Sequence, residues 1–93
     1  MASTVEEITI NYSEDGVLLV KELDKEILSK GAWTTILFRY QDLDRKTGEF
    51  GPEKFSIRRY KKSNNEYRYQ SKFNISSREQ AGKIVETLKR WIE

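Results

Sequence analysis

The sequence predicts an α+β fold: a curved antiparallel sheet of four to five strands followed by one C-terminal amphipathic helix. Two observations carry that expectation. Between residues 8 and 75, apolar and aromatic residues recur in short runs of period two, as on strands with one buried face, and clusters of turn-forming residues separate the runs. From Ser76 onward the period changes, and Ala81, Ile84, Val85, Leu88, Trp91 and Ile92 fall on one continuous helical stripe.

The elements follow in order. Ile8, Ile10 and Tyr12 alternate with Thr9 and Asn11, predicting a short strand that ends in the turn Ser13-Glu14-Asp15-Gly16. Val17–Val20 reads as the returning strand, and Lys21–Lys30, where Leu23, Ile27 and Leu28 also have helical spacing, is read as its irregular continuation to Gly31. Trp33–Leu43 is rich in β-prone residues and is expected to be central. Asp44–Gly48 and Gly51-Pro52 predict a wide hairpin leading into Lys54–Lys62, and Ser63-Asn64-Asn65 predicts a tighter turn into a last strand, Glu66–Ile75. Simple alternation there puts Tyr67, Tyr69, Phe73 and Ile75 on one side and Arg68, Gln70, Lys72 and Asn74 on the other. Ser76 with Glu79 has the pattern of a capping box, which starts the helix at Ser77. The stripe on that helix must be buried, and the apolar face of the sheet is the surface expected to receive it.

Ninety-three residues suit one domain spanning 1–93, with residues 1–7 as a flexible lead. The chain has neither cysteine nor histidine, which removes disulfides, thiolate chemistry, the usual zinc ligands and the commonest general base at neutral pH. No catalytic residue, metal or cofactor is therefore expected. Asp42 and Asp44 with Gly48 have only a fragment of a calcium-loop pattern, because Lys46 stands where an oxygen ligand is needed. The paired acids Glu6-Glu7 and Glu14-Asp15 read as solvating charge. With no signal-like N-terminus and no long apolar run, the expected location is cytoplasmic, or nuclear in a eukaryote, without a membrane.

Charge is unevenly distributed. Residues 1–31 carry net −4, residues 32–75 net +5 and residues 76–93 net +1. Between Lys54 and Lys72 seven basic residues face a single acid, Glu66, and Phe55, Tyr60, Tyr67, Tyr69 and Phe73 are interleaved with them. Cations for phosphates and rings for base faces are what a single-stranded nucleic-acid platform requires. If the helix covers Ile36, Phe38, Tyr40, Phe55, Ile57, Tyr67, Tyr69, Phe73 and Ile75, alternation presents Trp33, Arg39, Arg58, Tyr60, Lys62, Arg68 and Lys72 on the opposite face. Trp33 and Tyr60 are then the stacking rings, the five cations contact phosphate, and Lys46 and Lys54 extend the track along the hairpin. Arg59 and Lys61 have the inner parity, and a bulge is needed to turn them outward.

The run Trp33-Thr-Thr-Ile-Leu-Phe-Arg-Tyr, the Arg45–Pro52 hairpin and the junction Ser71-Lys-Phe-Asn-Ile-Ser-Ser-Arg-Glu-Gln carry a resemblance over roughly residues 16–92. There the chain resembles the single-stranded-DNA-binding transcriptional coactivators of the positive-cofactor-four and Whirly type. The resemblance implies a curved sheet, dimerisation through the helices and single-stranded DNA bound on the sheet. It departs in the acidic N-terminal third and in the extra strand. The expected function is non-enzymatic binding of single-stranded nucleic acid by a homodimer, in transcription regulation or DNA maintenance, with Gly82, Leu88, Trp91 and Ile92 at the dimer interface. The alternative is a protein–protein interaction module whose basic sheet face recognises an acidic partner.

Overall fold

The computed structural model of the protein describes residues 3–93. A single 3-10 turn, Val5–Glu7, precedes six strands: β1 (Tyr12–Glu14), β2 (Val17–Ser29), β3 (Trp33–Asp44), β4 (Glu49–Phe50), β5 (Lys54–Ser63) and β6 (Glu66–Ile75). One helix, α1 (Arg78–Ile92), closes the chain. The strands form one antiparallel sheet in the order β1-β2-β3-β5-β6, with the two-residue β4 pairing with the end of β3. The expected class, an antiparallel sheet followed by one helix, is what the chain adopts.

Local chemistry explains the turns. Asp15 and Gly16 have positive φ between β1 and β2, and Asn64 and Asn65 both do so between β5 and β6, the requirement of a two-residue hairpin turn that matches strand twist. The Gly48 amide donates to the Asp44 carbonyl, closing the turn from β3 to β4, and the Gly51 amide donates to the Asp42 carbonyl before β5 returns along β3. β2 runs unbroken through the ambiguous Lys21–Ser29 stretch, but its register against β3 shifts at Leu23 and Leu28.

The core differs from the expected one. Thr34, Ile36, Phe38 and Tyr40 are buried on one face of β3, yet no residue of α1 is buried. The N-terminal segment covers that face instead. Val5, Ile8 and Ile10 pack on Ile36, Phe38, Tyr40 and Tyr60, with Val20, Ile27 and Tyr67 at the margin. The strand expected to start at Ile8 therefore starts only at Tyr12, because Ile8 and Ile10 lie across the sheet as a strap rather than in it.

Polar contacts hold the strap. One carboxylate oxygen of Glu7 accepts hydrogen bonds from the amides and hydroxyls of Ser3 and Thr4 at 2.9–3.2 Å, closing the first turn on itself. These bonds hold the Glu7 carboxyl below its ordinary range. Lys25 on β2 sends its ammonium to the carbonyls of Val5, Glu6 and Ile8. Glu22 accepts from the Thr9 hydroxyl and the Ile10 amide, and its own amide donates to Asn11.

The helix begins as expected, one residue out of phase. Ser77 is the N-cap, its hydroxyl oxygen accepting from the Gln80 amide at 3.0 Å, and the Gln80 side chain accepts from the amide and hydroxyl of Ser76. Gln80, rather than Glu79, completes the box. The helix meets the sheet mainly at the end of β6 and projects from it, so the molecule is a slab measuring 45 × 39 × 17 Å. Its Cα radius of gyration, 14.9 Å, exceeds the roughly 12 Å of a compact domain of this length.

Candidate nucleic-acid interface

Cross-strand partners share a face, so the register sorts every side chain of β3, β5 and β6. Thr34 pairs with Tyr60, Ile36 with Arg58, Phe38 with Ser56 and Tyr40 with Lys54, and all eight lie on the strap face. Trp33 pairs with Lys61, Thr35 with Arg59, Leu37 with Ile57 and Arg39 with Phe55 on the other, open face. This reverses the expected phase of β5 relative to β3.

A bulge then divides β6. Arg59 pairs with Ser71 but Tyr60 pairs with Tyr69, leaving Gln70 as the extra residue. One inserted residue exchanges the faces of everything beyond it. Tyr67 and Tyr69 consequently lie on the strap face, whereas Phe73 and Ile75 lie on the open face. The four had been expected together beneath the helix.

The strap-face end of the β5–β6 hairpin thus holds Arg58, Lys62, Tyr67, Tyr69 and Lys72. The Arg58 guanidinium lies 5.8 Å from the Tyr69 ring centroid, and the Lys62 ammonium lies 5.5 Å from that of Tyr67. Tyr60 supports Tyr69 from below in an edge-to-face pair with centroids 6.2 Å apart. Tyr69 is 51% exposed, whereas Tyr60 is 6% exposed and its hydroxyl pKa is pushed up by burial. Tyr60 therefore offers no ring face for a base, contrary to expectation, and Tyr69 and Tyr67 occupy the positions where stacking is possible. A groove of about 560 Å³ separates Tyr67 and Tyr69 from Glu7, Ile8 and Thr9 of the strap.

Ion pairing separates the remaining cations. β5 contains no carboxylate and β6 only Glu66, and among the described residues Arg58, Lys62 and Lys72 form no ion pair. Arg39 is held by Glu53 at 3.0 Å and by Asp24 at 3.7 Å on the open face. Lys54 binds Asp42 at 2.9 Å, and that bond raises its ammonium pKa. Arg68 lies on the open face, 3.8 Å from Glu66. Lys46 is in the β3–β4 turn, where its amide donates to Asp44. Of the nine residues expected to form one surface, the fold gathers Arg58, Lys62 and Lys72 with the buried Tyr60, places Trp33 and Arg39 behind the sheet, and leaves Arg68 at the β6 edge, where it also lines the groove. Tyr67 and Tyr69 are absent from the expected surface because simple alternation puts them beneath the helix, and only the bulge at Gln70 brings them round.

The residues expected at a dimer interface are uncovered. Leu88, Trp91 and Ile92 are exposed, Trp91 to 73%, and a Cβ placed on Gly82 would meet nothing within 4 Å. Lys83, Ile84, Thr87, Leu88 and Trp91 line a shallow apolar depression along the helix. Among the described residues no group of acids is arranged to hold a metal ion, and no helix is long and apolar enough to cross a membrane. No protein-family model, curated protein or solved structure matches the chain.

Proposed function

We propose that the protein binds single-stranded nucleic acid without catalysing a reaction, using the strap-face end of the β5–β6 hairpin. The observation that carries this reading is a set of three cations without carboxylate partners among the described residues: Arg58 against the exposed ring of Tyr69, Lys62 against Tyr67, and Lys72 paired across the strands with Arg58. Stacking on such a ring is open to unpaired bases and closed to bases inside a duplex. Arg58, Lys62 and Lys72 contact phosphates; Tyr69 and Tyr67 receive bases.

The active form in this reading is a homodimer. A 15-residue helix is marginal in water without tertiary contacts, and α1 has few. Burying Val85, Leu88, Trp91 and Ile92 against a second copy would supply about 1.5–3 kcal/mol for each large aliphatic or aromatic side chain. Regulation of transcription or DNA maintenance is the setting this binding suits.

Titration of labelled single-stranded and duplex oligonucleotides at several salt concentrations tests the reading. Single strands should bind more tightly than duplex, and Arg58→Ala/Lys72→Ala should shallow the log–log salt dependence by about 0.7 for each phosphate contact removed. Equal salt slopes for wild type and the double variant would overturn the assignment of these residues. If neither oligonucleotide binds at low salt, an acidic protein partner becomes the better reading of the basic face.

A further inference from the structure

The open face of the same hairpin carries a second cluster that the proposed site does not use. Trp33 is 41% exposed, with the Arg59 guanidinium 4.5 Å and the Lys61 ammonium 5.4 Å from its ring centroid. Neither cation has a carboxylate partner among the described residues, unlike Arg39 at the other end of this face. The register makes Arg68, Lys61 and Trp33 one cross-strand row, running inward from the sheet edge at β6 through β5 to β3. The adjoining row, Tyr67 with Lys62, is on the strap face of the same edge.

We propose that Trp33, Lys61 and Arg59, reached by way of Arg68, form a second contact surface for one single strand. The strand passes over Tyr69 and Tyr67, turns around the β6 edge and lies along this row. The inference rests on the nucleic-acid reading above and extends its footprint to the opposite face. Three features favour it. β6 is the last strand of the sheet, so no neighbouring strand bars the edge. Two strand spacings separate β6 from β3, placing Trp33 only about 10 Å in from that edge. Cations continue around it from Lys62 to Arg68, Lys61 and Arg59, whereas Glu66 is the only acid on either hairpin strand. Arg59 and Lys61 lie over the ring of the part-exposed Trp33, so a tryptophan and two phosphate ligands stand together, the pairing of groups that holds unpaired bases without reading their sequence.

Ultraviolet crosslinking of the full chain to a single-stranded oligonucleotide of about 16 nucleotides, the upper range for a small single-strand site, tests the path. Peptide mapping should find crosslinks at Tyr69 or Tyr67 and also at Trp33. Crosslinks confined to the tyrosines, with the strand bound, would overturn the second surface while leaving the first intact. Absence of binding altogether would overturn both. In parallel, Arg59→Ala/Lys61→Ala should reduce affinity for that strand at least about fivefold and leave a strand of about four nucleotides bound as by wild type. An equal loss for both lengths, or none for either, counts against the path around the edge.

Discussion

Lys25 shows how one side chain can determine what covers a sheet. Its ammonium donates to the carbonyls of Val5, Glu6 and Ile8 and so joins the strap to β2. Lys25→Met keeps the aliphatic stem and removes these charge-assisted bonds. It should lower the unfolding free energy by about 1.5–3 kcal/mol in denaturant titrations. Tyr60 gives a second residue-scale expectation, about alkaline pH. Burial raises its pKa in the folded state above the unfolded value of about 10, and Tyr40 is shifted the same way for the same reason. The neutral phenols stabilise the fold below that value, and their contribution is lost as pH rises through the folded-state pKa. Denaturant midpoints should therefore fall above about pH 10, and Tyr60→Phe should reduce the fall.

Among the elements, the strap and the helix have exchanged the roles that amphipathicity alone would assign them. Val5, Ile8 and Ile10 are buried by the sheet, so deleting residues 1–10 should remove about 5 kcal/mol or more of apolar burial. Losses of that size approach the total stability of a small domain. The truncated protein should show broad thermal transitions and bind hydrophobic dyes, whereas a core sealed by the helix would leave it folded. The helix responds differently. A Cβ at Gly82 meets open space, so Gly82→Ala should stabilise α1 by up to about 1 kcal/mol, measured as a higher thermal midpoint. A lowered midpoint together with weakened self-association would show that a second copy approaches the helix at Gly82.

Taken whole, the molecule is a thin plate with one face closed by its own N-terminal strap and a helix left projecting from the end of β6. Leu37, Ile57 and Phe73 remain on the open face, between the Trp33 cluster and the Phe55–Ile75 pair next to the helix. A homodimer would cover the apolar stripe of α1, and its stability would then depend on protein concentration. Sedimentation should give a dimer at micromolar concentration, and Leu88→Glu/Trp91→Glu should give a folded or partly folded monomer. A wild-type monomer at all concentrations would remove the dimer from the proposal and leave the β5–β6 site to be tested on its own.

Local signals settled much of this protein in advance. Asn64-Asn65 requires a tight hairpin because both residues accept positive φ, and the spacing from Ala81 to Ile92 can form a stripe only on a helix. The concentration of cations between Lys54 and Lys72 is a property of composition and needs no coordinates to be seen. Facing is different, since it depends on register. A bulge at Gln70 moves Tyr67 and Tyr69 away from Phe73 and Ile75, and the pairing of β3 with β5 puts Arg58 beside Ile36 and Arg59 beside Thr35. Because strand side chains repeat every two residues, a displacement of one reverses every assignment beyond it, and no local preference of Gln70 announces the displacement. Long-range contacts also determined that Ile8 and Ile10 fill the core and that Arg39 and Lys54 are held by carboxylates distant in sequence. Sequence alone determined that the chain would be a basic, aromatic-rich antiparallel sheet with an amphipathic helix. Tertiary structure decided which cations stand together, which rings are open and which segment seals the core, because each depends on residues brought together only by folding.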